Sequence, residues 1–168
     1  MPLTMYEASV PVFIRAFGNL SAILDKGLAF AEEQGIDPAE LVQTRLIDDM
    51  HPLAAQIQRA SDTAKGCASR LSGIAAPAME DNEATFADLK ARIARTVEFL
   101  NSVPAEAFEG SETRPVVMGS RTTSHTFEGK TYLLQHALPN FFFHVTTAYA
   151  ILRQKGVPIG KADYLGPR

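Results

Sequence analysis

Apolar residues near the start of the chain fall at Tyr6, Val10, Phe13, Phe17, Leu20, Leu24, Leu28 and Ala31, in steps of 4, 3, 4, 3, 4, 4 and 3. A helix turns about 100° per residue, so these steps keep one apolar face and predict a long amphipathic helix over residues 5–33. Pro11 lies in its first turns, where a missing N–H costs least, and Gly35 ends it. Asp37 and Pro38 read as the N-cap and first helical position of a short helical piece. A second stripe, Leu53, Ile57, Ala60, Ala64, Cys67 and Leu71, predicts a helix over residues 52–71. Pro52 suits its first position and pushes His51 out of helical geometry, while Gly73 closes it. A third helix, over residues 85–102, opens at Thr85-x-x-Asp88, which resembles a capping box, and carries Phe86, Leu89, Ile93, Val97 and Leu100 on one face. Pro104 stops it.

The helical period then breaks. Val116, Val117 and Met118 are β-formers, residues 119–123 are turn-like, and Thr126 with Phe127 suits a return strand, so a small β-hairpin is expected. A fourth helix follows over residues 130–155, and the tail from Val157 reads as irregular. Four amphipathic helices bury their stripes only against one another, which predicts an all-α four-helix bundle in one domain, residues 1–168, with the hairpin before the last helix. The expected core includes Phe13, Phe17, Leu20, Leu53, Ile57, Cys67, Phe86, Leu89, Ile93, Val145 and Ala148. Phe141, Phe142 and Phe143 span roughly 200° of helix surface, too wide for one core. The excess width points to a second apolar contact, and a two-fold homodimer is the expected source.

Composition narrows the function classes. Net charge is −3 with no Lys/Arg run, which argues against nucleic acid as a partner. No apolar stretch reaches the roughly 18–20 residues of a membrane span, and the amino terminus lacks a secretory pattern. Cys67 is the one cysteine, so no internal disulfide forms and a cytoplasmic protein is expected. There is no G-x-S-x-G nucleophile elbow and no glycine-rich phosphate loop. Cys67 sits on a seam and reads as a buried hydrophobe, not a nucleophile. Asp48 and Asp49 precede the second helix and suit its positive end, and His125 belongs to the surface of the hairpin.

The segments MYEASVPVFIRAFGNLSAILDK, LIDDMHPLAAQIQRASDTAKG and HALPNFFFHVTTAYAILRQKGV resemble a bacterial family of unknown function, number nineteen-ninety-three, placed with the DinB/YfiT-like putative metalloenzymes. The resemblance covers nearly the whole chain. It implies an up-down-down-up four-helix bundle, usually homodimeric, and no established activity. In better characterised members of that superfamily three histidines hold a divalent ion, one near the start of the second helix and two on the fourth, four residues apart. Carried over, His51 matches the first, and His136 or His144 matches one of the others. Asn140 stands between them where the pattern wants a histidine, giving His136-x3-Asn140-x3-His144.

Residues eight apart on a helix are separated by ~12 Å of rise and ~80° of rotation, too far for His136 and His144 to share one ion. Pro139 can kink the helix without closing that rise. An ion, zinc or nickel, would draw on His51, one of the later histidines, and Asn140 or water, and asparagine is a poor zinc ligand. A fully formed three-histidine site is therefore not expected. Two other readings stand beside it: a metal-free pocket for a small molecule lined by His51, His136, Asn140 and His144, or a non-enzymatic homodimeric scaffold in which these are satisfied structural groups. A pocket would gather the histidines beside open space, whereas a scaffold would bury them apart.

Overall fold

The structure, a computed structural model, describes residues 2–119 and 122–167. It is mostly helical, with a small two-stranded antiparallel hairpin. Helix α1 (Val10–Gln34) ends at Gly35, whose φ of 65° lets it take the left-handed cap. The short α2 (Pro38–Val42) is capped as its sequence predicts, with the Asp37 carboxylate accepting from the Ala39 N–H at 2.9 Å. Helix α3 (Leu53–Ser72) starts one residue later than expected: Pro52 is its extended N-cap. Helix α4 (Phe86–Ser102) has the reciprocal capping box. The Asp88 N–H donates to Thr85 Oγ1 at 3.1 Å, and the Thr85 N–H donates to Asp88 Oδ2 at 2.9 Å.

Strands β1 (Pro115–Gly119) and β2 (Ser124–Glu128) pair antiparallel with Val117 opposite Thr126. Residues 120 and 121 of the expected turn lie outside the described residues. The hairpin runs directly into the last helix at Gly129. A Cβ there would sit 1.9 Å from the Ser111 carbonyl oxygen, so the backbone approach admits only glycine.

The last helix comprises α5 (Gly129–Tyr132), a π turn over Leu133–Ala137, and α6 (Leu138–Gln154). Pro139 explains the π turn. It has no N–H to donate, and in α geometry its ring would press on the carbonyl of Gln135. The Leu138 N–H instead closes a wide turn on the Leu133 carbonyl, and the helix continues without a break. The tail, expected to be irregular, contains α7 (Lys161–Leu165). The Gly160 N–H donates to Asp163 Oδ2 at 2.8 Å, and Lys26 Nζ reaches Asp163 Oδ1 at 2.6 Å, so the piece is capped and tied to α1.

α1 packs on α4 and α6, and α3 packs on the same two helices. Every residue of the expected core is buried, including Cys67 and Ile57 at 0% exposure. Phe141 sits at the centre, edge-on to Phe13 at 4.7 Å and to Phe17 at 5.1 Å between ring centroids. A buried polar knot fixes the loop before α4. Arg92, 0% exposed, donates through Nη1 to Glu83 Oε1 (3.0 Å) and Asp81 Oδ1 (2.9 Å), and through Nη2 to Asp62 Oδ1 (3.0 Å). Among the described residues no helix is long and apolar enough to cross a membrane.

Candidate functional site

The seam between α3 and α6 is where the unusual polar residues meet. On α6, Asn140 and His144 are one turn apart. On α3, Gln56 and Thr63 are two turns apart, so both pairs line one helix face. Asn140 Nδ2 donates to Thr63 Oγ1 at 2.8 Å, and the Thr63 hydroxyl donates to the Arg59 carbonyl at 2.7 Å. His144 Nδ1 lies 2.8 Å from Gln56 Oε1.

These bonds fix the His144 tautomer. Gln56 Nε2 donates to the His51 carbonyl at 3.0 Å, so the amide is oriented with Oε1 toward the imidazole. A carbonyl oxygen only accepts; hence Nδ1 carries the proton and Nε2 keeps its lone pair. Burial lowers the imidazole pKa to about 4, helped by the positive charge of Arg59, so His144 is neutral near pH 7. The ring of Phe143 stands edge-on against it at 5.2 Å.

The other sequence candidates are distributed unevenly. His51 lies in the loop ahead of α3; its side chain is exposed, and its carbonyl is held by Gln56. His136 is not in the seam. It emerges from the π turn, stacks on Tyr132 at 5.8 Å and faces Phe127 of the hairpin at 6.2 Å. The structure thus brings His51, Asn140 and His144 to the start and flank of one seam and leaves His136 beside the hairpin. His125 is exposed on β2. Burial pushes the Cys67 thiol up to about 12, which removes it as a nucleophile at neutral pH. A shallow apolar depression lies on the outer side of α6, lined by Leu46, Phe142, Phe143, Thr146, Thr147 and Ala150.

The donor set does not suit the divalent ion that the three-histidine pattern implies. Among the described residues no group of three or more His, Cys, Asp or Glu is arranged to hold one. The turn of α6 beside His144 offers a neutral amide, itself engaged with Thr63, and α3 offers a second amide and a guanidinium. Gln56, Arg59 and Thr63 were missed in the sequence. The signal was present as polar positions 56 and 63, spaced by seven and bordering the Leu53–Ile57–Ala60–Ala64 stripe.

No curated protein matches the chain. A crystal structure of a DinB family member protein from Shewanella denitrificans is similar, with 38% sequence identity and a TM-score of 0.91. The match covers 98% of this chain and 93% of that one. The profile of the family described as "Domain of unknown function (DUF1993)" matches residues 5–165, and the chain belongs to that family.

Proposed function

We propose that the chain is a single-domain DinB-type four-helix bundle, a non-enzymatic homodimeric binding or scaffold protein whose α3–α6 seam is a metal-free structural contact. The helix directions support an up-down-down-up order. Phe13 and Phe17 meet Phe141 while Gly27 meets Leu152, so α1 and α6 run parallel. Gly27 also faces Phe86, whereas Ile14 and Phe17 share a groove with Ile93 and Val97, so α1 and α4 run antiparallel. Asn140 bonds Thr63 and His144 bonds Gln56, so α3 and α6 run antiparallel. Taking α1 as up makes α3 and α4 down and α6 up.

The observation that carries the metal-free reading is the engagement of Asn140 and His144 with α3. Their i, i+4 spacing on α6 is the one the superfamily pattern requires of two histidine ligands, and one member is an amide bonded to a threonine. Elemental analysis of protein purified without a histidine tag tests it. Wild-type protein is expected to hold no stoichiometric zinc or nickel. Asn140→His, which creates a histidine pair one turn apart, is expected to gain an ion. A stoichiometric ion in the wild-type protein would overturn the reading.

The same proposal includes a homodimer. Leu134 and Phe143 of the last helix are 50% and 55% exposed, more apolar surface than one helix face needs for its own core. Light scattering at micromolar concentration is expected to give twice 18.3 kDa, and a species of 18.3 kDa would end the idea.

A further inference from the structure

We propose that the cleft beneath α7 binds a compact carboxylic acid whose apolar body is the size of one ring, and that α7 is its lid. The site lies where α1, α6 and the tail meet, apart from the α3–α6 seam, and it does not rest on the metal-free reading of that seam.

The tail is anchored by burial at one end only. Val157 and Ile159, at 0% and 5% exposure, fix its start. Beyond them no residue of α7 is buried. Polar ties hold this piece down instead. Arg15 Nη2 donates to the carbonyls of Leu165 at 3.1 Å and Pro167 at 2.7 Å, and Asn19 Nδ2 donates to the Tyr164 carbonyl at 3.1 Å. Lys26 pairs with Asp163, and the hydroxyls of Thr146 and Tyr164 lie 3.0 Å apart. Exposed ties of this kind are each worth little against water, so α7 opens at a lower free energy than the bundle unfolds.

Beneath α7 the packing is incomplete. Val12 and Ala16 of α1 and Phe142 and Val145 of α6 form an apolar floor, and Tyr164 and Leu165 form the roof. Between them lies a cavity of about 210 Å³. A purely structural strap would seat an apolar side chain in that space, since protein interiors leave few voids larger than a water molecule. Leu165 instead stays 52% exposed. An apolar cavity of about 150 Å³ takes benzene, so the space suits a ring with one small substituent.

The polar lining selects the substituent. Asn19 is occupied, with Nδ2 on Tyr164 and Oδ1 against Gly166, where a Cβ would approach it to 2.2 Å. Arg15 commits only Nη2 among the described residues, which leaves the guanidinium donors on Nε and Nη1. Among the described residues no Asp or Glu lines the cavity, so Arg15 sets its charge. A carboxylate pairs with the guanidinium while the ring covers the floor. An ammonium would meet the like charge of Arg15, and inorganic phosphate would leave the floor uncovered.

The test titrates benzoate into full-length ¹⁵N-labelled protein, beside benzyl alcohol, benzylamine, acetate and inorganic phosphate. Benzoate is expected to shift the Tyr164, Leu165 and Gly166 amides saturably, and to bind at least about tenfold tighter than each of the other four. It should also slow hydrogen exchange at the Gly166 amide, which donates to the Ala162 carbonyl at 2.9 Å and exchanges when α7 opens. Arg15→Gln also removes ties to the strap, so its readout is selectivity. It is expected to bring benzoate down to the affinity of benzyl alcohol, whereas a role in holding α7 alone would weaken both alike. No saturable shift with benzoate, or shifts confined to other parts of the chain, would overturn the site. Benzyl alcohol or benzylamine binding as tightly as benzoate would overturn the ligand class, as would an Arg15→Gln variant that keeps the preference or weakens both probes alike. Unchanged Gly166 exchange at saturating benzoate would overturn the lid. Each of these leaves the metal-free seam standing; that reading fails separately, on a stoichiometric metal ion in the wild-type protein.

Discussion

Arg92→Met is expected to cost about 3–5 kcal/mol of folding stability, a large share of the roughly 5–15 kcal/mol available to a domain of this size. The side chain of Arg92 is fully buried, and so, at 2% exposure, is that of Glu83 beneath it. Removing the guanidinium leaves a buried carboxylate with the Gln58 amide, at 2.9 Å, and its own backbone N–H, neither of which carries a charge to balance it. Asp62 and Asp81 stay 53% and 58% exposed, so water replaces their lost partner at little cost. The contrast supplies the check by urea denaturation. Asp81→Asn should change stability by less than about 1 kcal/mol, and Arg92→Met/Glu83→Met should recover much of the single-variant loss, because no buried charge is then left alone. A double variant as unstable as Arg92→Met alone would show that the knot is not held by this pair.

The knot also contributes to the acid side of the stability profile. Burial alone would raise the Glu83 carboxyl, but hydrogen bonds from Gln58 and Arg92, with the charge of Arg92, hold it below its ordinary value of 4.5. A carboxyl lowered in the folded state contributes stability that is fully present above the unfolded value. The contribution fades as pH falls below 4.5 through the folded one, and Arg92→Met should lose this dependence.

The apolar stripes carried most of the fold because they record a single repeated cause, burial against a neighbouring helix. Phe13, Ile57 and Leu89 can be placed inside from spacing alone, and Thr85 with Asp88 announces a helix start through local hydrogen bonding. The polar interior was legible only weakly. A pattern reading sends Gln56, Arg92 and Thr96 to solvent, yet all three are buried, and each bonds a residue distant in sequence: His144, Asp62 and Ser61. Such partners leave no periodic trace. Pro139 announced a disturbance of the last helix without its form. The π turn keeps the helix continuous, where a sharp kink was the other outcome, and it places His136 against Tyr132 while Asn140 and His144 face α3.

Phe141→Ala is expected to be comparably damaging, at about 3–5 kcal/mol, through lost burial and the cavity left behind. Phe141 is 0% exposed and is the point where α6 meets α1, with the rings of Phe13, Phe17 and Phe142 all within 5.2 Å of its centroid. No backbone rearrangement short of moving a helix can fill that space, since Pro139 and the π turn already fix where α6 begins. Phe143→Ala, two positions on, should cost less than about 0.5–1 kcal/mol, because that ring is 55% exposed and loses little burial. The pairing with α1 can be isolated by a cycle. Phe13→Ala and Phe141→Ala together should destabilise less than the sum of the two, with about 0.5–1.5 kcal/mol of coupling expected for an edge-on aromatic pair. Because Asn140 precedes Phe141 on the same turn, a slackened α6 should also weaken the Asn140–Thr63 bond and lower amide protection in the α3–α6 seam. Equal losses for Phe141→Ala and Phe143→Ala would mean that α6 turns a different face to the core. The α3–α6 seam would then have to be redrawn.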